Sequence, residues 1–285
     1  MRWETSKIIK SLNTSNSSFV IHHSSIMYMS LLASLTFFTR LPWWRLKSVP
    51  KEAFEHVVDY WPFVGWLTGG VMAGVFYLSV LLGMMPLVAV LLAIVARLLL
   101  TGALHEDGLA DFCDGFGGGT TRERTLTIMK DSHIGTYGVI GLVFYFALLW
   151  VTIATNGDLF TTYYPLFILF DVTAKSAASL ITGQLPYART AESAKNGVVY
   201  VGRSWQGWVL HALRCACAIA LPLAWCVWLG LGRVVYLLPV PFVVELLLML
   251  WMRRRLGGYT GDCCGALFLL CELSLYLSLP LLAQP

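Results

Sequence analysis

Charge is what this chain of 285 residues has least of: charged side chains make up 13% of it and hydrophobic ones 57%. A water-soluble domain carries about 25% charged residues, so a fold solvated by water on all sides is excluded. Acids are the scarcer sign, 16 against 20 lysines and arginines. The small excess of bases sits at the ends of apolar runs rather than on a basic face, which makes nucleic acid an unexpected partner. The sequence also lacks C-x-x-C pairs: Cys113, Cys215, Cys217, Cys226, Cys263, Cys264 and Cys271 lie almost wholly inside apolar segments. They read as reduced, structural thiols, and Cys215 and Cys217, two apart on a helix, point to different faces. Period-2 alternation is missing from the long uncharged runs, which excludes an outer-membrane barrel, and the aliphatic and aromatic content excludes a disordered chain.

What is present is a series of apolar stretches of the length, about 20 residues, that spans a bilayer. Seven occur, at roughly 61–83, 86–104, 137–156, 161–183, 206–231, 234–252 and 263–283. An eighth run, 26–41, is too short to span and suits an interfacial or re-entrant helix. The expected fold is therefore all-α, a polytopic helical membrane protein of about seven transmembrane helices plus that N-terminal helix. Residues 1–25 are polar, rich in Ser and Asn and without an apolar core. They read as a disordered extension, neither signal peptide nor span, ahead of a single membrane domain over 26–285. Met27 and Met29, just before the apolar run, offer an alternative translation start.

Basic residues orient the bundle. Arg40, Arg45, Lys47 and Lys51 precede the first span; Arg122, Arg124 and Lys130 fill the second loop, Arg189, Lys195 and Arg203 the fourth, and Arg253, Arg254 and Arg255 the sixth. Alternate loops are thus expected on the cytoplasmic side, with only Arg233 against the pattern.

The acids are concentrated. Six of the 16 (Glu106, Asp107, Asp111, Asp114, Glu123 and Asp131) fall in the second cytoplasmic loop. Asp107, Asp111 and Asp114 are spaced four and three apart, so on a helix they share an arc of roughly 60°. Like charges that close repel, and a divalent cation is the usual compensation; oxygen-only donors favour Mg²⁺ or Mn²⁺ over zinc. Gly108, Gly115, Gly117, Gly118 and Gly119 nearby let a backbone or a phosphate approach closely. Carboxylates holding a hard cation beside such a backbone suit phosphoryl transfer. His105 reads equally as an interfacial side chain or a catalytic group.

Downstream, Asp131 is a candidate further metal ligand or proton acceptor, and Lys130 beside it a second candidate for the chemistry. Two other polar segments face the same side: YARTAESAKNG (187–197), with Arg189, and RRRLGGYTGD (253–262), with Arg255, Tyr259 and Asp262. Both are candidates to hold phosphate; Arg253-Arg254-Arg255 alone reads most simply as a topology determinant, and followed by Gly257 to Asp262 as an anion-binding turn closed by a carboxylate. Within the spans, Arg97, Asp171, Lys175, Glu245 and Glu272 are expensive in hydrocarbon and are expected to be paired, near an interface or lining a wet cavity, with Asp171 and Lys175 pairing each other.

From about residue 30 to the C-terminus these motifs, in order, resemble the adenosylcobinamide-GDP ribazoletransferase family, also called cobalamin (5′-phosphate) synthases. The resemblance rests on LTFFTRLP, WPFVGWLTGG, TGALHEDGLADFCDG, IMKDSHIGTYG, PYART and RRLGGYTGDCCGALFLLCE. It implies a Mg²⁺-dependent enzyme of a prokaryotic inner membrane, with active-site loops facing the cytoplasm. Such an enzyme joins adenosylcobinamide-GDP to α-ribazole or its 5′-phosphate and releases GMP. Asp107, Asp111 and Asp114 match the family's acidic motif, Asp131 the acid of its M-K-D-S segment, and Asp262 and Glu272 its C-terminal acids. Expected partners are those substrates and membrane lipid, together with self-association or a complex with other corrinoid enzymes. The sequence departs from the family at Lys175, where many members have Arg. Asp111-Phe-Cys-Asp114-Gly115 also resembles half of the motif of CDP-alcohol phosphotransferases, but the usual Ala-Arg and the later D-x-x-x-D pair are missing. A secondary transporter is the rival of another class, and the clustering of acids in a loop rather than at the midplane speaks against it.

Overall fold

The computed structural model describes residues 27–189 and 202–282. The polar extension 1–25, most of the 187–197 segment including Lys195, and the last three residues lie outside the described residues. The helices are α1 (Met27–Phe38), α2 (Trp61–Leu81), α3 (Pro86–Thr101), α4 (Leu104–Gly118), α5 (Arg122–Ile128), α6 (Thr136–Thr155), α7 (Gly157–Thr162), α8 (Pro165–Ala178), α9 (Ile181–Gln184), α10 (Trp205–Trp228), α11 (Val240–Leu256) and α12 (Gly261–Leu277). Among the described residues there is no strand, only an isolated parallel bridge between Tyr187 and Tyr259.

Local chemistry sets many of the starts. Proline stands in the first turn of α2, α3, α8 and α11, where its fixed φ suits a helix and its missing N–H costs nothing. Side-chain oxygens of Thr121, Ser204 and Thr260 accept from the first-turn amides of α5, α10 and α12, as N-caps do.

Six helical segments are long and apolar enough to cross a membrane, and α3 with α4 makes a seventh if that bent pair counts as one span. This agrees with the all-α reading of about seven spans, with one change. The second run does not continue straight to 104. Helix α3 has 16 residues, about 24 Å, short of a hydrocarbon core of about 30 Å. It stops at Gly102 (φ 68°), Ala103 follows at φ 57°, and α4 leaves at 91° to α3. Glycine suits the first of these positions because its φ is left-handed and the Arg40 side chain packs where a Cβ would stand, while the Arg40 amide donates to Leu100 O at 2.7 Å. The acid-rich helix therefore lies across the end of the bundle instead of extending a span.

Every residue of α8 is buried, and α8 is the axis against which α2, α10 and α12 pack. Helices α3, α6, α10 and α11 are peripheral and expose Leu99, Phe144, Leu221 and Leu247, as lipid-facing surfaces do. The short helix α1 docks on the bundle, its Ser34 hydroxyl donating to Val57 O at 2.6 Å.

The charged residues inside the spans form one network. Arg97 pairs with Glu272 and lies 4.0 Å from Asp171, and Asp171 pairs with Lys175. Thr68 donates to Asp171 at 2.8 Å and accepts from Lys175 at 3.0 Å. Tyr145 accepts from Arg97 at 3.0 Å and donates to Glu272 at 3.2 Å. The Lys175 ammonium also sits 3.9 Å over the Phe268 ring. The expected Asp171–Lys175 pair is present, and the network links α2, α3, α6, α8 and α12. Glu245 of α11 is buried apart from it. All seven cysteines are free.

Removing one partner of a buried ion pair leaves the other charge uncompensated, at a cost of about 3–5 kcal/mol. Arg97→Ala is expected to destabilise by that order, read as a fall in the unfolding midpoint of detergent-purified protein.

Candidate active site

The site is built where α4 crosses α12. A Cβ on Gly108 would sit 3.0 Å from Asp262 O, and one on Gly265 would sit 3.0 Å from His105 O. Each helix thus gives up a side chain so that the other's backbone can close in. Asp107 of α4 is thereby brought beside the first turn of α12. Asp107, Asp262, His105, Tyr187 and Arg189 line one cavity of about 130 Å³, whose other walls include Phe37, Phe38 and Trp61. A second, larger and more open cavity of about 650 Å³ is lined by Asp107, Asp111, Glu106, Arg40 and Ser132, with Leu98, Leu142 and Phe146.

His105 is clamped. Its ring stacks between Phe38 and Trp61 at centroid distances of 5.8 and 5.5 Å, and Phe268 meets it edge-on at 4.8 Å. Among the described residues its Nε2 has no hydrogen-bond partner, and neither has one oxygen of the buried Glu106.

The three aspartates of the acidic motif do share one helix, but not one task. Asp107 is exposed and Asp111 half-buried, and both face the larger cavity. Asp114 is buried, and its two oxygens accept from the Gly135 and Gly138 amides at 2.6 and 2.8 Å. That carboxylate caps α6, where the first amides are otherwise unpartnered and the helix dipole favours an anion. Among the described residues no three His, Cys, Asp or Glu side chains stand close enough together to hold a metal ion.

Other candidates also differ from expectation. Gly108 serves the helix crossing, and Gly115 makes room for Met129 rather than for a phosphate. Arg255 donates to the carbonyls of Gly119 and Phe116, capping the C-terminal end of α4, as a cation there should. Tyr259 is buried, its ring edge-on to Tyr187 at 5.3 Å; backbone bonds from Ala188 N to Tyr259 O (2.7 Å) and from Tyr259 N to Pro186 O (3.1 Å) join the fourth and sixth loops. Arg122 reinforces that junction by donating to Leu256 O and Ala188 O at 2.7 and 3.0 Å. Arg189 lies between the small cavity and a shallow surface hollow and donates to Leu126 O at 3.1 Å. Lys130 and Asp131 line that hollow and neither cavity. Asp131 is held by the His133 ring at 2.8 Å and its amide at 3.0 Å, which keeps its carboxyl below the ordinary range.

A feature the sequence did not single out is an ion cluster at Asp59, which follows Val58 of the small cavity in the chain. Asp59 bonds Arg203 at 2.7 Å, with His56 at 3.4, His211 at 3.6 and Arg214 at 3.7 Å. Burial pushes its carboxyl up, but the His56 hydrogen bond and the Arg203 guanidinium outweigh burial and bring the pKa to about 2. Its partners on the α10 side lie more than 140 residues away, so nothing in the local sequence announces them.

Fold and site together define a polytopic helical membrane protein that holds a carboxylate-lined cleft at one end of its bundle, under a short helix turned out of a span. The profile of the cobalamin-5-phosphate synthase family matches residues 30–280, and the chain belongs to that family. Among curated relatives, the adenosylcobinamide-GDP ribazoletransferase of Leptothrix cholodnii is 39% identical over 265 residues, covering 90% of this chain and 96% of the relative. That of Shewanella amazonensis is 37% identical over 260 residues (88% and 94%), and that of Rhizobium etli 36% over 251 residues (85% and 92%). No solved structure matches the chain.

Because the folded-state pKa of Asp59 lies below its unfolded value, its contribution is present at neutral pH and is lost as pH falls from about 4 to about 2. Wild-type protein is expected to lose about 2 kcal/mol over that window. Asp59→Asn should flatten this part of the stability profile, read from unfolding midpoints in detergent across the same pH range.

Proposed function

We propose that the chain joins adenosylcobinamide-GDP to α-ribazole or its 5′-phosphate and releases GMP, with Mg²⁺ as cofactor. Family membership supports the reaction. The structural observation that carries the assignment to this cleft is Asp107, which stands with Asp262 in one cavity and with Asp111 in the other. Atom balance fixes the bonds: an acceptor hydroxyl oxygen bonds to the phosphorus nearest the corrinoid, the bridging P–O bond breaks, and the hydroxyl proton passes to a base. The donor set fits Mg²⁺, which commonly takes one or two protein carboxylates and completes its shell with waters and substrate phosphates. Asp107 and Asp111 would hold it, while both oxygens of Asp114 are spent on the α6 amides. When bound, the cation supplies charge neutralisation on the diphosphate.

This chain's own groups do the rest. Arg189 and Arg40 supply positive charge for phosphate oxygens at the two cavities. Cleft carboxylates orient the acceptor hydroxyl and take its proton. Asp131, with its lowered pKa and its place in the outer hollow, suits that role less than they do, and Lys130 beside it suits attraction of the anionic donor. By the distribution of Lys and Arg, the cleft faces the cytoplasm at a prokaryotic inner membrane. Lipid solvation of the spans and association with other corrinoid enzymes complete the proposal.

Asp107→Asn and Asp111→Asn are each expected to lower GMP release in proteoliposomes at least 100-fold while leaving yield and unfolding midpoint near wild type. Full activity in both would remove the metal assignment. Asp131→Asn is expected to lower the rate less than tenfold with an unchanged pH–rate profile; loss of the basic limb in that variant would make Asp131 the base.

A further inference from the structure

Residues 37–51 serve two surroundings in turn. The first of them are cleft wall: Phe37 and Phe38 line the smaller cavity, and Phe37, Thr39 and Arg40 the larger. The chain then leaves the cleft and doubles back toward the start of α1, where the Lys47 ammonium stands 5.8 Å over the Tyr28 ring. Little of this returning segment is packed away. Leu46 is 69% exposed and Trp44 57%, against 73% at Leu99 on the lipid-facing side of α3. Met27 and Tyr28 are exposed as well.

Bases are interleaved with these apolar side chains. Arg40, Arg45, Lys47 and Lys51 are all exposed, residues 27–51 include no acid, and the next one along the chain is Glu52. Leucine and tryptophan this exposed are costly in water, and the charges among them are costly in hydrocarbon. A layer that accepts both is the headgroup region, with the apolar groups sunk toward the acyl chains and the cations at the phosphates. Depth agrees, because the Arg40 amide donates to Leu100 O in the last turn of α3, so the segment begins at the level where the lipid-facing surface of that helix ends. This end of the bundle is the one that the distribution of Lys and Arg assigns to the cytoplasm, and the cytoplasmic leaflet carries the anionic lipids that attract basic segments.

We infer that residues 41–47 are a docking surface for anionic phospholipid, and that the lipid held there steadies the wall of the cleft. Two links carry the effect inward. Trp43 Nε1 donates to Thr39 Oγ1 at 2.9 Å, and Thr39 faces the larger cavity. Phe38, the preceding residue, stacks on Trp61 at 4.9 Å and on His105 at 5.8 Å, and all three line the smaller one. Headgroups that fix residues 41–47 therefore hold this piece of wall from its outer side, as α1 holds it from the other. The docking surface stands apart from the chemistry; its effect on rate rests on the reaction proposed above.

Two measurements in nanodiscs test this. The first reads lipid contact without catalysis. A photoreactive variant, Leu46→benzoylphenylalanine, irradiated in discs of equimolar phosphatidylcholine and phosphatidylglycerol, should form lipid adducts in which phosphatidylglycerol prevails by at least about threefold. Adding Arg45→Gln and Lys47→Gln should bring the ratio to parity. Parity with both bases in place, or adducts to protein alone, overturns the docking surface. The second measurement is kcat for GMP release at saturating substrates, where repulsion of an anionic donor by an anionic membrane does not enter. It should be at least about threefold higher in the mixed discs than in phosphatidylcholine alone, and raised salt should shrink the gain by screening the headgroups. The double variant Arg45→Gln, Lys47→Gln, altered only at exposed positions outside both cavities, should lose the gain while keeping the wild-type unfolding midpoint and phosphatidylcholine rate. A wild-type kcat indifferent to lipid charge, or a gain that survives in the double variant, overturns the coupling. Absence of GMP from wild type in both kinds of disc overturns the reaction itself, and the adduct ratio still decides the docking surface.

Discussion

The ion network of Arg97, Glu272, Asp171 and Lys175 is the constraint on which the rest of the molecule depends. In hydrocarbon no water rescues a stray charge, so these side chains have to find one another. Doing so fixes α3, α8 and α12 relative to one another, with Thr68 and Tyr145 drawing in α2 and α6. The network is therefore a registration device for five helices at once. Its energetic return over an apolar core of the same shape is small, because pairing mostly offsets desolvation. What it adds is a single arrangement, since sliding α3, α8 or α12 would strand a charge and sliding α2 or α6 would take a hydroxyl partner from one.

That arrangement sets the position of the cleft. With α3 and α12 registered, the left-handed turn at Gly102 and Ala103 swings α4 across the end of α12, and the facing glycines let the backbones touch. The carboxylates arrive at the cleft because a span has been cut short. Helix α3 is too short to cross a bilayer alone, and α4 uses residues that a straight helix would have placed in the interface or beyond.

The spans were legible because twenty apolar residues have one physical meaning, and the acidic motif because acids are so rare here. The Asp171–Lys175 pair followed from spacing and the cost of burial. The separate duties of Asp107 and Asp114 did not. Helical phase puts them on one arc, and only the arrival of α6 commits Asp114 to the Gly135 and Gly138 amides. In the same way Arg255 looked like an anion ligand until the end of α4 came to lie against it, and Gly115 like a phosphate-facing glycine until Met129 filled the space. Asp59 was invisible because its partners converge from distant segments. Local spacing shows what a side chain can do, and tertiary neighbours decide which of those things it does.

Asp114 has a consequence beyond capping. By joining the middle of α4 to amides 21 and 24 residues further on, it closes the intervening segment into a loop, a tether of the sort that secreted proteins make from two cysteines. This one needs no oxidant and ignores reductants, which suits a chain whose seven thiols all stand free. It also makes α5 and its flanking turns a fastened flap that travels with α4 and α6, so any opening of the cleft on that side has to carry both helix ends along.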